Sequence, residues 1–136
     1  MPTQTADCLV PPELAACTWV AGDLWGKPTL RSDRPNLKIN SNGVVFGTAG
    51  CNRFIGAAEI NDGSIRLSLL YTKGMLCPAP LMDQEERFMR AMSETRSFGL
   101  EGSSLRFFNE AGRELASFEP LIACTRNANV GSRAGL

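Results

Sequence analysis

The stretch GCNRFIGAAEINDGSIRLSLLYTKGMLC, Gly50 to Cys77, decides the fold. Asp62-Gly63 stands at its middle, a pair that favours a tight turn between strands. Beyond it, Ile65, Leu67 and Leu69 alternate with Arg66 and Ser68, the pattern of a strand with one buried face. About ten residues run out from Cys51 to the turn and about as many return to Cys77, so a hairpin sets the two cysteines side by side. A bridge between them needs Cα atoms within about 7 Å and contributes roughly 3–4 kcal/mol by the chain-entropy relation. The competing reading makes Cys51 a nucleophile, but a reactive thiol needs a helix N-terminus, a metal or a nearby cation, and locally only Arg53 offers one. The expectation is a structural bridge.

The same grammar extends outward. In NLKINSNGVVFG, Asn42-Gly43 separates Leu37-Lys38-Ile39 from Val44-Val45-Phe46 and predicts a second hairpin with a primed turn. CTWVAGDLWG predicts a strand around Trp19 that ends at the turn Gly26-Lys27-Pro28, with Trp19 and Trp25 as core and rim residues. Gly47-Thr48-Ala49-Gly50 lacks the lysine of a phosphate loop and reads as a bend or bulge after a strand. One helix is predicted over DQEERFMRAMSETR: Asp83 and Glu86 form a capping box, Phe88 and Met92 make the inner stripe, and Glu86, Arg87, Arg90 and Glu94 face water. RSFGLEG, SLRFFNE and RELASFEPL then return to strand. Strands, one helix and more strands predict an α+β domain, a strongly curved antiparallel sheet of about eight strands (a half-barrel) packed on one helix. The expected boundaries are a flexible arm over 1–16, the domain over 17–124 and a flexible tail over 125–136.

Composition narrows the chemistry. The 136-residue chain has equal numbers of basic and acidic residues, so no net field draws it to nucleic acid, and no apolar run is long enough to span a bilayer. It contains no histidine, which removes the commonest general base and any Ser-His-Asp or Cys-His site within the chain. Five cysteines without a C-x-x-C spacing favour a disulfide framework in an oxidising compartment over a zinc or thioredoxin-type site. Cys17 is expected to pair with Cys124, flanking the first and last strands; the alternative is a Cys8–Cys17 loop with Cys124 left free. Leu14-Ala15-Ala16-Cys17 imitates the box before a lipidated cysteine, but no apolar stretch precedes it. The expectation is a mature form from which any targeting signal is already absent.

Gly50-Cys51-Asn52, Thr72, Met75 and Cys77, the acidic helix with Glu85 and Phe88, and SLRFF together resemble the META domain, or HslJ-like, family over about residues 18–120. The resemblance implies a curved sheet of about eight strands on one helix, similar to pilotins that escort secretin subunits. It further implies a periplasmic or envelope setting, often with a lipoprotein or secreted precursor, and links to heat-shock and other stress responses, virulence or secretion. No catalytic residues, metal or cofactor come with it.

Three classes of function compete on these grounds. A hydrolase finds no constellation. A thiol redox sensor rests on cysteine number alone. The expectation is a monomeric, non-catalytic envelope module that binds a partner protein or a lipid or other apolar ligand. Its predicted surface is the mouth between sheet and helix, lined by Phe54, Phe88, Met92, Phe107 and Phe108.

Overall fold

In the computed structural model, residues 10–72 and 74–121 are described. A short helix α1 (Pro12–Ala15) precedes β1 (Thr18–Leu24), β2 (Lys27–Pro28), β3 (Asn36–Ile39), β4 (Val44–Thr48), β5 (Arg53–Asn61) and β6 (Ser64–Tyr71). The long helix α2 (Ala79–Glu94) follows, then β7 (Ser97–Glu101), β8 (Ser104–Phe108) and β9 (Glu114–Pro120). All pairings are antiparallel, in the order β2-β1-β3-β4-β5-β6-β7-β8-β9, and β1 also pairs with β9. The expected half-barrel therefore curls into a ring, with the two-residue β2 as an appendage.

Curvature has local causes. Gly47 and Gly56 lie on inward-facing positions of β4 and β5, where a Cβ would collide with the carbonyl oxygens of Asn36 and Ser68 respectively. Only a bare backbone lets the neighbouring strands approach this closely. The β5–β6 hairpin turns at Asp62 (φ 57°), as its sequence predicts. The β3–β4 turn differs from the primed type: the Gly43 N–H donates to the Asn40 carbonyl at 2.9 Å, and of Asn42 and Gly43 only the glycine has positive φ, 92°. An Asn42 side chain that accepts from the Val44 N–H at 3.1 Å holds this longer loop instead.

The interior is aromatic. Phe54 packs on Phe88 with ring centroids 5.6 Å apart, and Phe107 meets Phe118 edge-on at 5.0 Å. Phe54, Phe88, Met92 and Phe107 are at most 1% exposed. These residues, expected to line an open mouth, are core: the ring closes through β1–β9, and α2 seals it from the side. Phe108 alternates to the other face of β8 and is half-buried.

Two boundaries move. Residues 10–16, expected in the loose arm, are folded: Leu14 is fully buried and its carbonyl accepts from Trp19 Nε1 at 3.0 Å. Residues 1–9 and the tail from 122 onward lie outside the described residues. Helix α2 starts at Ala79, not at the Asp83 box; Pro78 occupies the N-cap and makes no side-chain cap bond. Pro78-Ala79-Pro80 is the start signal, because proline in the first turn sacrifices no helical hydrogen bond. Asp83, one turn in, pairs with Arg87 instead.

Candidate functional site

β6 and β7 pair only at Ser64↔Ser97, so the ring is nearly open there. Helix α2 turns back after β6 and returns to the start of that strand, where β7 begins, covering the gap. What fastens α2 is polar. Gln84, fully buried, donates to the Asp33 carbonyl at 2.7 Å and accepts from the Leu30 N–H at 2.6 Å. Trp25, held at φ 53°, donates its Nε1 to the Arg87 carbonyl at 3.0 Å. A bulky side chain in the left-handed region is strained, and this contact, with the Arg113 guanidinium 5.3 Å from the ring centroid, holds it in place.

Glu85 is the third tie and the centre of the arrangement. Its carboxylate is 2% exposed and accepts from the Asn52 N–H (2.8 Å), the Asn52 Nδ2 (2.7 Å) and the Cys51 N–H (3.2 Å). Asn52 in turn grips the next loop: its Oδ1 accepts from the Met75 N–H at 2.7 Å, and its Nδ2 donates to the Met75 carbonyl at 3.3 Å. Cys51 and Cys77 are disulfide-bonded, with Cα atoms 6.3 Å apart. Gly50, at φ 120°, leaves room for α2, since a Cβ there would lie 3.0 Å from Leu81 Cδ1. Thr72 ends the hairpin by donating its N–H to the Arg53 carbonyl at 2.9 Å. Each sequence-motif residue thus has a structural partner. Together they form a clasp that binds the β4–β5 turn, the 74–77 loop and α2 to one another.

A buried carboxylate is costly unless its lone pairs are satisfied, and here donors from Cys51 and Asn52 satisfy it. Beside it, partial burial, then the Glu85 charge and a hydrogen bond to Glu85, with a smaller contribution from Glu86, hold the Tyr71 phenol above its ordinary value. Sequence reasoning named Glu85 as part of the acidic helix and missed its role as acceptor. A carboxylate at helical spacing with buried Phe88 and Met92 was the available signal.

The exposed apolar surface lies elsewhere than expected. Phe46 (43% exposed), Ile55 (51%) and Leu70 (75%) stand opposite one another on β4, β5 and β6 and form a row on the outside of the ring. Their signal was legible: Val45-Phe46, Phe54-Ile55 and Leu69-Leu70 are adjacent apolar pairs in strands, and one member of each must face out. Tyr71, Met75 and Leu76 are also exposed and line a cleft beside α2. Among the described residues no cluster of three or more metal-ligating side chains is present. No helix among the described residues is long and apolar enough to cross a membrane.

The META domain family model matches residues 12–120. The chain belongs to the META domain family. Within solved structures, this META domain is similar to a protein from Burkholderia xenovorans, at 19% identity and TM-score 0.66, over 85% of this chain and 91% of that one. A DUF4847 family protein from Bacteroides vulgatus matches at 13% identity and TM-score 0.61, over 78% and 93% of the respective chains. A further solution structure matches at 20% identity and TM-score 0.63, over 82% and 96%. No curated protein sequence matches the chain. The shared fold is an antiparallel ring with one long helix; these matches carry no activity with them.

Cys17 is disulfide-bonded. Its two predicted alternatives, Cys124 and Cys8, lie outside the described residues. With Cys17, Cys51 and Cys77 all bonded, nothing among the described residues supports the redox-sensor reading.

Proposed function

We propose that this META domain is a non-catalytic module of the cell envelope that binds a partner protein through the rim formed by Leu70, Tyr71, Met75 and Leu76. The observation that carries the reading is the division of labour around the clasp. The polar motif groups of Gly50-Cys51-Asn52, Cys77 and Glu85 are engaged with one another, while large apolar side chains next to them face solvent: Leu76 is 94% exposed. Contiguous exposed apolar surface marks interaction sites. The interior is filled by aromatic side chains, so the apolar surface open to a partner is external. The disulfides fit an oxidising compartment such as the periplasm, and stress response or secretion are the processes that the family resemblance implies.

A photo-crosslinking side chain at position 70 or 76, exposed to envelope extract, is expected to trap the same adduct reproducibly, while one at the distant exposed Glu110 traps none. A fatty acid that shifts the amide signals of Leu70, Tyr71 and Met75 would replace the partner protein by an apolar ligand. Absence of both crosslinks and shifts would contradict the binding reading.

A further inference from the structure

We propose that the outer face of strands β3 to β6, centred on Lys38, Phe46, Arg53 and Ile55, rests on an anionic lipid bilayer. This is a different face from the partner rim at Met75 and Leu76, with Leu70 at the border between them.

Charge is unevenly distributed around the ring. The outward positions of β1, β7, β8 and β9 carry Asp23, Glu101, Glu114 and Glu119 against Arg106 alone. Arg106 is already ion-paired with Glu101 and Glu114. The outward positions of β3 to β6 carry Lys38, Arg53 and Arg66 against Glu59. Glu59 and Arg66 stand opposite one another and offset each other, which leaves Lys38 and Arg53 uncompensated. Neither forms an ion pair among the described residues. The Lys38 ammonium donates to the Ala15 carbonyl, a neutral group that leaves its charge in place. A chain of zero net charge thus has a basic and an acidic side, and a negatively charged plane turns the basic side towards itself.

The basic side is also the apolar one. Lys38, Phe46, Ile55 and Leu70 are cross-strand neighbours in that order, so one row crosses four strands. A strand spacing of about 4.8 Å sets the three exposed apolar side chains abreast, and they enter one interface together. Arg53 lies opposite Thr48 in the adjoining row, so the two cations flank Phe46. A cleft of about 730 Å³ joins them, with Asn36 and Thr48 among its lining and no carboxylate, which suits a phosphate head group. A site for a single lipid would enclose most of the ligand, whereas the interior of this ring is filled by its own aromatic side chains. The outer row has the make-up of an interfacial surface instead: apolar side chains for the acyl boundary, basic ones for anionic head groups.

The test is co-sedimentation of the whole protein with vesicles of phosphatidylglycerol and phosphatidylcholine in equal parts, against phosphatidylcholine alone. Two cations at the surface predict about thirtyfold stronger binding to the anionic vesicles, weakening as salt is added. Arg53→Gln is expected to reduce this binding about fivefold, and Ile55→Ser to reduce it by about the same factor. A spin-labelled lipid in the anionic vesicles is expected to broaden the amide signals of Phe46, Ile55 and Leu70 and to spare Glu101, Arg106 and Ser117. Equal binding to both vesicles, binding to neither, full binding by both variants, or broadening centred on the acidic side would each overturn the proposal. Glycerol phosphate that shifts the Thr48 and Arg53 amides while vesicles stay unbound would assign the cleft to a soluble phosphate ligand and overturn the bilayer. Broadening of Phe46 and Ile55 that grows with protein concentration in the absence of lipid would assign the face to a second copy and overturn it likewise. A protein that ignores vesicles yet is trapped through a crosslinker at position 76 would reject the bilayer and leave the partner rim standing.

Discussion

β1 and β9 meet along five residue pairs, from Trp19↔Pro120 to Leu24↔Ala116, whereas β6 and β7 meet at one. Both seams close the same ring, by different means. The first is a backbone ladder, which nearly any strand-forming sequence can supply, backed by Trp19, Leu24 and Phe118 from the core. The second is a helix laid across a gap and held by side chains: Gln84, Glu85, Asn52 and the Cys51–Cys77 bridge. A ladder distributes its stability over many equivalent bonds. A clasp concentrates it in a few groups whose identity matters, which is why the second seam is the one that reads as a motif.

The comparison breaks most visibly at the disulfide. Replacing Cys51 and Cys77 together by alanine is expected to lower unfolding free energy by about 3.5 kcal/mol in denaturant titrations. Amides of α2 should then exchange before those of β1 and β9. Equal loosening of both seams would mean that the bridge acts on the whole ring rather than on the clasp. Gly50→Ala comes next, at about 2 kcal/mol, because the new Cβ combines a strained φ with the approach of Leu81. It is measured in the same titrations, and a neutral result would show that α2 has slack at its start.

The hairpin around Asp62-Gly63, the alternation of β6 and the Phe88–Met92 stripe were legible in the sequence because each follows a short period that burial imposes. The clasp was legible only as a list of residues. Its geometry joins positions 52, 75 and 85, and no local period records a contact across a gap between strands. The start of α2 was misplaced because Asp83 and Glu86 imitate a capping box, while Pro78 and Pro80 pre-set the first turn with no side-chain bond. The five residues expected to line a mouth were apolar for the ordinary reason: four are core, and the ring's closure by β9 was not visible from strand count.

A smaller effect comes from Tyr71. A phenol whose folded-state pKa lies above its unfolded value keeps its proton longer when folded, so the associated stability is complete below about pH 10 and is lost as pH rises beyond it. Unfolding free energy is expected to fall across that range in the parent protein and to fall less in Tyr71→Phe. Identical slopes would remove Tyr71 from the neighbourhood of Glu85. Least affected is the outer row: Leu70→Ser is expected to stay within about 0.5 kcal/mol of the parent. A larger loss in thermal or denaturant unfolding would make Leu70 part of the fold rather than of a docking rim.

The clasp itself is tested most directly by a double-mutant cycle on Asn52→Ala and Glu85→Ala, read by equilibrium denaturation. Two groups that hold a seam through a shared buried hydrogen bond should couple, and the expected interaction energy is at least about 1.5 kcal/mol. Additive losses, with a coupling below about 0.5 kcal/mol, would mean that the two residues stabilise their own loops independently and that α2 is held across the gap by packing alone.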